Sequence, residues 1–177
     1  PRRSIPRDLA PGDVVTIVGG PYTPDSDRFY INANGTSDLP IFVRGISATA
    51  RPVLTKKVHV TQGNWLVIEN LNIKSEAGGV EIRPLESASP SSNIAVRNVL
   101  LEGVGDVFKG YQSFAAHSDY DSSILSNIVF FRNKSINAGQ YSSATEDDSC
   151  SFSIQHRVQY IWLLENEGSH KIGRAHV

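Results

Sequence analysis

The stretch "NIVFFRN", Asn127 to Asn133, closes an apolar run with a charge and then an asparagine. Three others do the same: "WLVIEN" ending at Asn70, "IAVRN" at Asn98 and "IWLLEN" at Asn166. Aligned on the asparagine, the residues two before it are Ile68, Val96, Phe131 and Leu164, and those four before it are Leu66, Ile94, Val129 and Trp162. Side chains alternate with period 2 along a strand, so these apolar positions share one face and predict an inner wall. Glu69, Arg97, Arg132 and Glu165 then point to solvent, and the asparagines point inward.

An inward amide without partners costs about 1–3 kcal/mol. Stacking removes that cost, because at the parallel-strand spacing of roughly 4.8 Å each amide reaches the one in the next coil. Asparagine also tolerates the left-handed backbone of a sharp bend. Asn70, Asn98, Asn133 and Asn166 are therefore expected to form a structural ladder. Their intervals of 28, 35 and 33 residues are those of a solenoid rather than of a single sheet.

A second strand precedes each later segment: "GGVEIRP", "QSFAAHS" and "CSFSIQH". Val80 and Ile82, Phe114 and Ala116, and Phe152 and Ile154 form its inner set; Glu81 and Arg83, Ala115 and His117, and Ser153 and Gln155 face out. Each period thus holds at least two short strands around one core, joined by polar turns, and such a period coils. Upstream, "PGDVVTIVGGPYT", "LPIFVRGIS" and "RPVLTKKVHVTQGNW" supply the first coils, each a β-branched run ending in a breaker. The polar stretches "ESASPSS" (Glu86 to Ser92) and "QYSSATEDDS" (Gln140 to Ser149) read as loops bulging from successive coils.

The opening "LAPGDVVTIVGGPYT", the later "RPVLT" and "NWLVIENLNI", and the repeated "SNI…RN" segments resemble the right-handed parallel β-helix proteins of the pectin-lyase-like superfamily. The resemblance covers most of residues 9 to 170. It implies an all-β, right-handed parallel β-helix with long inter-strand loops, and a secreted or cell-surface location. That fold hosts polysaccharide lyases, glycosidases, esterases, adhesins and phage tailspikes, so the resemblance does not choose the chemistry.

With 177 residues and 40% hydrophobic content, one domain is the natural count. We assign residues 1–171 to a single β-helix domain truncated at both ends, because the chain has no Met and starts at Pro1. Ile172 to Val177 resemble a translated sequencing adapter and are set apart from the fold. The net charge of −1 gives no general attraction to nucleic acid or anionic membranes. No apolar run approaches the ~18–20 residues of a spanning helix. Cys150 is the single cysteine and reads as a small residue at a strand start.

Outward residues in matching places on stacked strands form rows. One row is Arg83, His117, Gln155; beside it run Glu81, Ala115 and Ser153, with Asp119, His156 and Arg157 at strand ends. A polymer lying along them meets a cation, an imidazole, an amide and a carboxylate, which suits a uronate-containing polysaccharide. β-Elimination needs the uronate carboxylate neutralised, a base for the C5 proton and an acid for the leaving oxygen. The expected roles are Arg83 for the carboxylate, His117 as base, and Tyr120 or His156 as proton donor. Glu81, Gln155, Arg157, Tyr111 and Tyr141 are expected to bind substrate, the tyrosines by stacking. Glu81, Asp147 and Asp148 could hold calcium, the one cofactor expected. Each has a plainer reading: Arg83 and Glu81 as a surface ion pair, His117 as the start of a turn, and "EDD" (Glu146 to Asp148) as a solvated acidic turn. Trp65 and Trp162 are assigned to the inner wall or its end. The function expected is a polysaccharide lyase on an anionic glycan, against a non-catalytic β-helix scaffold that presents its loops to a partner.

Overall fold

The computed structural model describes residues 4–84, 90–103, 112–120, 122–136 and 150–169. The expected ligands Asp147 and Asp148, the stacking candidates Tyr111 and Tyr141, Glu146 and the tail from Ile172 lie outside them. The chain winds as a parallel β-solenoid, with no helix among the described residues. In chain order the strands are β1 (Asp8–Leu9), β2 (Val14–Ile17), β3 (Phe29–Asn34), β4 (Ile41–Gly45), β5 (Val53–Leu54), β6 (Val58–Glu69), β7 (Asn72–Ser75) and β8 (Val80–Ile82). There follow β9 (Ser91–Arg97), β10 (Leu100–Gly103), β11 (Gln112–His117), β12 (Leu125–Phe131), β13 (Lys134–Ile136), β14 (Cys150–Gln155), β15 (Val158–Leu164) and β16 (Glu167–Ser169).

Every pairing is parallel and joins one coil to the next, which sorts the strands onto three faces. The first face stacks β1, β3, the start of β6, β8, β11 and β14. The second stacks β2, β4, the end of β6, β9, β12 and β15. The third is the sheet β5, β7, β10, β13, β16. Inward side chains of all three meet in one core, where Ile31, Leu66, Ile68, Leu71, Ile73, Ile82, Ile94 and Leu101 are fully buried. In the later coils phenylalanine replaces these aliphatics: the Phe114 and Phe152 rings stack at 5.1 Å, and Phe130 meets each edge-on at 6.1 Å. Aromatic pairs at such separations are attractive in these offset and edge-on arrangements.

The corners are made by left-handed residues. One column bends the run that leads into the second face: Trp65, Asn93, Asn127 and Tyr160, with φ of 49°, 58°, 55° and 53°. A second turns the second face into the third: Asn70, Asn98, Arg132 and Glu165, with φ of 57°, 53°, 52° and 51°. The second column corrects the alignment made on asparagine. Val96 pairs with Phe130, not Phe131. In the two later coils the asparagine therefore follows the left-handed residue instead of occupying it. A slip of one residue exchanges the two sides of a strand, so Ile128 and Phe130 fill the core while Val129 and Phe131 face out. Trp162 and Trp65 also face out, 43% and 40% exposed, and neither belongs to the inner wall.

The four asparagines accordingly do two jobs. Asn133 and Asn166 sit inward, in the place that Leu71 and Val99 hold in the earlier coils. Asn133 donates from Nδ2 to the Val96 carbonyl at 2.9 Å and accepts from the Val99 N–H at 3.0 Å. Asn166 accepts from the Asn133 backbone at 2.9 Å and donates to the Phe130 carbonyl at 2.8 Å. Asn70 and Asn98 instead supply the left-handed corner itself. Amide ladders not expected from the sequence run along the other bend: Asn127 donates to Asn93 at 3.2 Å, and Asn64 donates to Asn34 at 3.1 Å. The outward charges also differ from expectation, because Glu69 is buried under Arg97, its partner at 2.7 Å. The loop expected from Glu86 ends early, since Ser91 and Ser92 already belong to β9.

Candidate functional site

The outward surface of the first face begins with alternation. Val58 and Val60, Val80 and Ile82, and Phe114 and Ala116 point into the core, so the residues between them must point out. Register stacks those residues as Tyr30, His59, Glu81, Ala115 and Ser153. Beside this column His117 pairs with Gln155. The side chains shrink to Ala115 and Ser153 above Glu81, and Ala77 and Gly79 flank it, leaving a cavity of about 360 Å³. Gly79 is required there, because a Cβ would lie 2.5 Å from the Ser113 carbonyl.

The cavity wall carries Arg28, Lys57, Arg83, Glu81, His117 and Gln155. Glu81 is its hub. Lys57 Nζ lies 2.6 Å from Glu81 Oε2, Arg28 Nη1 lies 3.8 Å from that oxygen, and Arg83 Nη1 lies 3.9 Å from Oε1. Burial acts to raise the Glu81 carboxyl, but the Lys57 hydrogen bond and charge, with the two histidines nearby, hold it below its ordinary value. His59 is almost wholly buried. Its Nε2 lies 2.8 Å from the Arg83 carbonyl and its Nδ1 3.3 Å from Arg28 Nη1. An Nε2–H tautomer satisfies both contacts, donating to the carbonyl and accepting from Arg28. Burial lowers its pKa, against the Glu81 charge.

His117 is 8% exposed, and its Nδ1 has no hydrogen-bond partner among the described residues. Burial lowers its pKa first, with Arg83 and His156 adding to the effect and Glu81 and Asp119 opposing it. That burial keeps the His117 imidazole neutral to a lower pH than an ordinary histidine. Arg83 also reaches Asp119, Nη2 to Oδ2 at 2.7 Å, and that contact holds the Asp119 carboxyl below its ordinary value.

Of the residues singled out in the sequence, the structure gathers Glu81, Arg83, His117 and Gln155 around one cavity. Tyr120, His156 and Arg157 are exposed and do not line it, although His156 acts electrostatically on both His117 and Asp119. Arg28, Lys57 and His59 were missed. "VHV" at Val58 to Val60 alternates as "VEI" does at Val80 to Ile82, and aligning the two would have placed His59 directly beside Glu81. Glu81 offers a poor seat for calcium, because Lys57, Arg28 and Arg83 already neutralise it and repel a divalent ion. A larger hollow of about 540 Å³ lies between Ile5, Val14, Ile17, Phe29 and Leu54. Among the described residues its lining carries no charged side chain, and Tyr22 is bonded to the Val18 carbonyl.

The second face has a different exterior. Register runs Val14, Phe42, Val67, Ala95, Val129 and Trp162 into one outward column, apolar throughout. No family model matches the chain, and neither a curated protein nor a solved structure matches it significantly. The molecule is characterised by its own geometry: a parallel β-solenoid with a charged cavity on one face and an apolar stripe on the next.

Proposed function

We propose that this chain is a carbohydrate-active β-helix protein of the pectin-lyase-like kind, secreted or displayed at the cell surface, that cleaves a uronate-containing glycan by β-elimination. The observation that carries this reading is His117: a largely buried imidazole, neutral near pH 7, on the wall of a cavity that among the described residues also carries Arg28, Lys57, Arg83 and Glu81. Arg83, the most exposed of those cations, takes the uronate carboxylate and makes the C5 proton acidic. The His117 imidazole removes that proton, the C4–C5 double bond forms, and the C4–O bond breaks with its electron pair leaving on oxygen. Solvent protonates that oxygen, because neither of the expected donors, His156 and Tyr120, lines the cavity. Glu81 stabilises the imidazolium that forms.

The test is ultraviolet absorbance of the unsaturated product over pectate, alginate and glycosaminoglycans. We expect a rise with one of them, and a loss of at least about 100-fold in His117→Ala, the lower bound for a general base. Because the His117 pKa lies below 6.5, the rate should persist on the acid side of that value and fall as pH drops through the lowered pKa. No rise on any polymer, with the fold verified, would overturn the reading. The apolar stripe supports a second one, a binding scaffold that docks a partner through the second face, since contiguous apolar surface marks interaction sites.

A further inference from the structure

Three cations among the described residues line the cavity, and they are not equally available. Lys57 and its partner Glu81 have side chains only 13% and 12% exposed, and they are locked at 2.6 Å. Arg28 is held by Asp27 through Nε at 2.7 Å and by His59 through Nη1. Arg83 differs: its side chain is 42% exposed, and its close partner, Asp119 at 2.7 Å, is 43% exposed. Ion pairs with this much water around them are weak and exchange readily. Asp119 does not line the cavity; it reaches Arg83 from the turn after β11. There Ser118, fully buried, accepts from the Tyr120 N–H at 3.3 Å and holds the turn in place. A carboxylate thus sits on the most accessible cation that the described residues bring to the cavity, and it is the same chemical group as the acid of a uronate.

We propose that Asp119 occupies the anion seat of the site, and that a ligand carboxylate enters by displacing it from Arg83. Asp119 is then a specificity-determining residue. A neutral sugar cannot dislodge it, whereas a polyanionic glycan, with a carboxylate on each successive unit, can. This rests on reading the cavity as the seat of an anionic glycan. The exchange also preserves the electrostatics at His117, because Asp119 raises the pKa of that imidazole and an incoming carboxylate does the same from the same place.

The experiment uses the whole chain and two probes, acetate as a bare carboxylate and polygalacturonate or alginate as the polymer, followed by NMR of the Arg83 Nε–H and the His117 imidazole. Asp119→Asn should bind acetate at least threefold more tightly than the parent protein, and adding Arg83→Gln should remove the gain. In Asp119→Asn the His117 titration should move to lower pH, and saturating acetate should return it upward, which a merely structural role for Asp119 would not produce. Asp119→Ser repeats the test with a different replacement. Equal acetate affinity in the parent and both Asp119 variants overturns the proposal, even where the polymers bind. A gain for acetate with no binding of either polymer upholds the seat and removes the glycan.

Discussion

The first and second faces share one core and one alternation, and their exteriors could hardly differ more. On the first, the outward column is Tyr30, His59, Glu81, Ala115 and Ser153, beside His117 and Gln155; on the second it is Val14, Phe42, Val67, Ala95, Val129 and Trp162. The inward columns of both are apolar, and they are buried in the central coils. Coiling is therefore indifferent to what stands outside. It is driven by the buried half of each strand and by the left-handed corners. The outward half is free to carry charge, and on the first face it does so at a cost, since Glu81, Lys57 and His59 are charged or polar groups removed from water.

That difference is broken most severely at Glu81. Glu81→Leu leaves Lys57 without its partner in a poorly hydrated wall, and the expected loss is about 3 kcal/mol, the low end for a buried pair stripped of one member. The double variant Lys57→Met, Glu81→Leu should recover most of it, because a neutral apolar pair carries no unpaired charge. Val129→Thr, in the apolar column of the second face, should stay within about 0.5 kcal/mol. Chemical denaturation of the four proteins checks all of this. If Glu81→Leu is as stable as the parent, the cavity wall is not the linked charge cluster described above. The acid side sharpens the same contrast. Buried His59 has a folded pKa below its ordinary 6.5, so between those values the unfolded chain binds a proton that the folded chain refuses. Stability is complete above 6.5 and declines as pH falls beneath it, and no residue of the apolar column adds to that decline.

The inward sides differ by coil, and asparagine measures it. Asn133→Leu removes an amide that serves the Val96 carbonyl, the Val99 N–H and Asn166, and should cost about 2 kcal/mol for the groups left unpaired. Asn98→Leu keeps the interior intact and forces a branched residue to φ of 53°, a cost of about 1–2 kcal/mol that Asn98→Gly avoids. Melting temperatures of the four variants separate the two roles: glycine should be tolerated at position 98, and the corresponding Asn133→Gly should not be.

The coiling was legible in the sequence because period-2 alternation of Val80/Ile82, Phe114/Ala116 and Phe152/Ile154 encodes register directly. Glu81, Arg83, His117 and Gln155 followed from it as outward rows. What the alignment on asparagine missed was which residue turns the corner. The left-handed position accepts Asn in two coils but Arg132 and Glu165 in the others, and a charge followed by Asn reads the same in both arrangements. Lys57 and His59 escaped for a related reason: β6 runs unbroken from Val58 to Glu69, so no turn residue marks where its first half joins the column of Glu81. The apolar exterior of the second face was hidden too, since Val67 and Val129 look like core until register assigns their side.

The smallest effect lies at the rim of the second face, where two ion pairs share a separation of 2.7 Å. Arg97 covers Glu69, whose side chain is 10% exposed; Arg132 and Glu165 are 58% and 62% exposed. Coulomb attraction at equal distance depends on how much water surrounds the pair. Double-mutant cycles to alanine should give Arg132 and Glu165 a coupling of about 0.2–0.5 kcal/mol that vanishes at high salt. The Glu69 and Arg97 coupling should be larger and should persist, because burial shields it from screening ions. Equal couplings with equal salt dependence would mean that Arg97 does not cover Glu69 in solution. The outward charge beside the apolar column would then be as wet as the sequence first suggested.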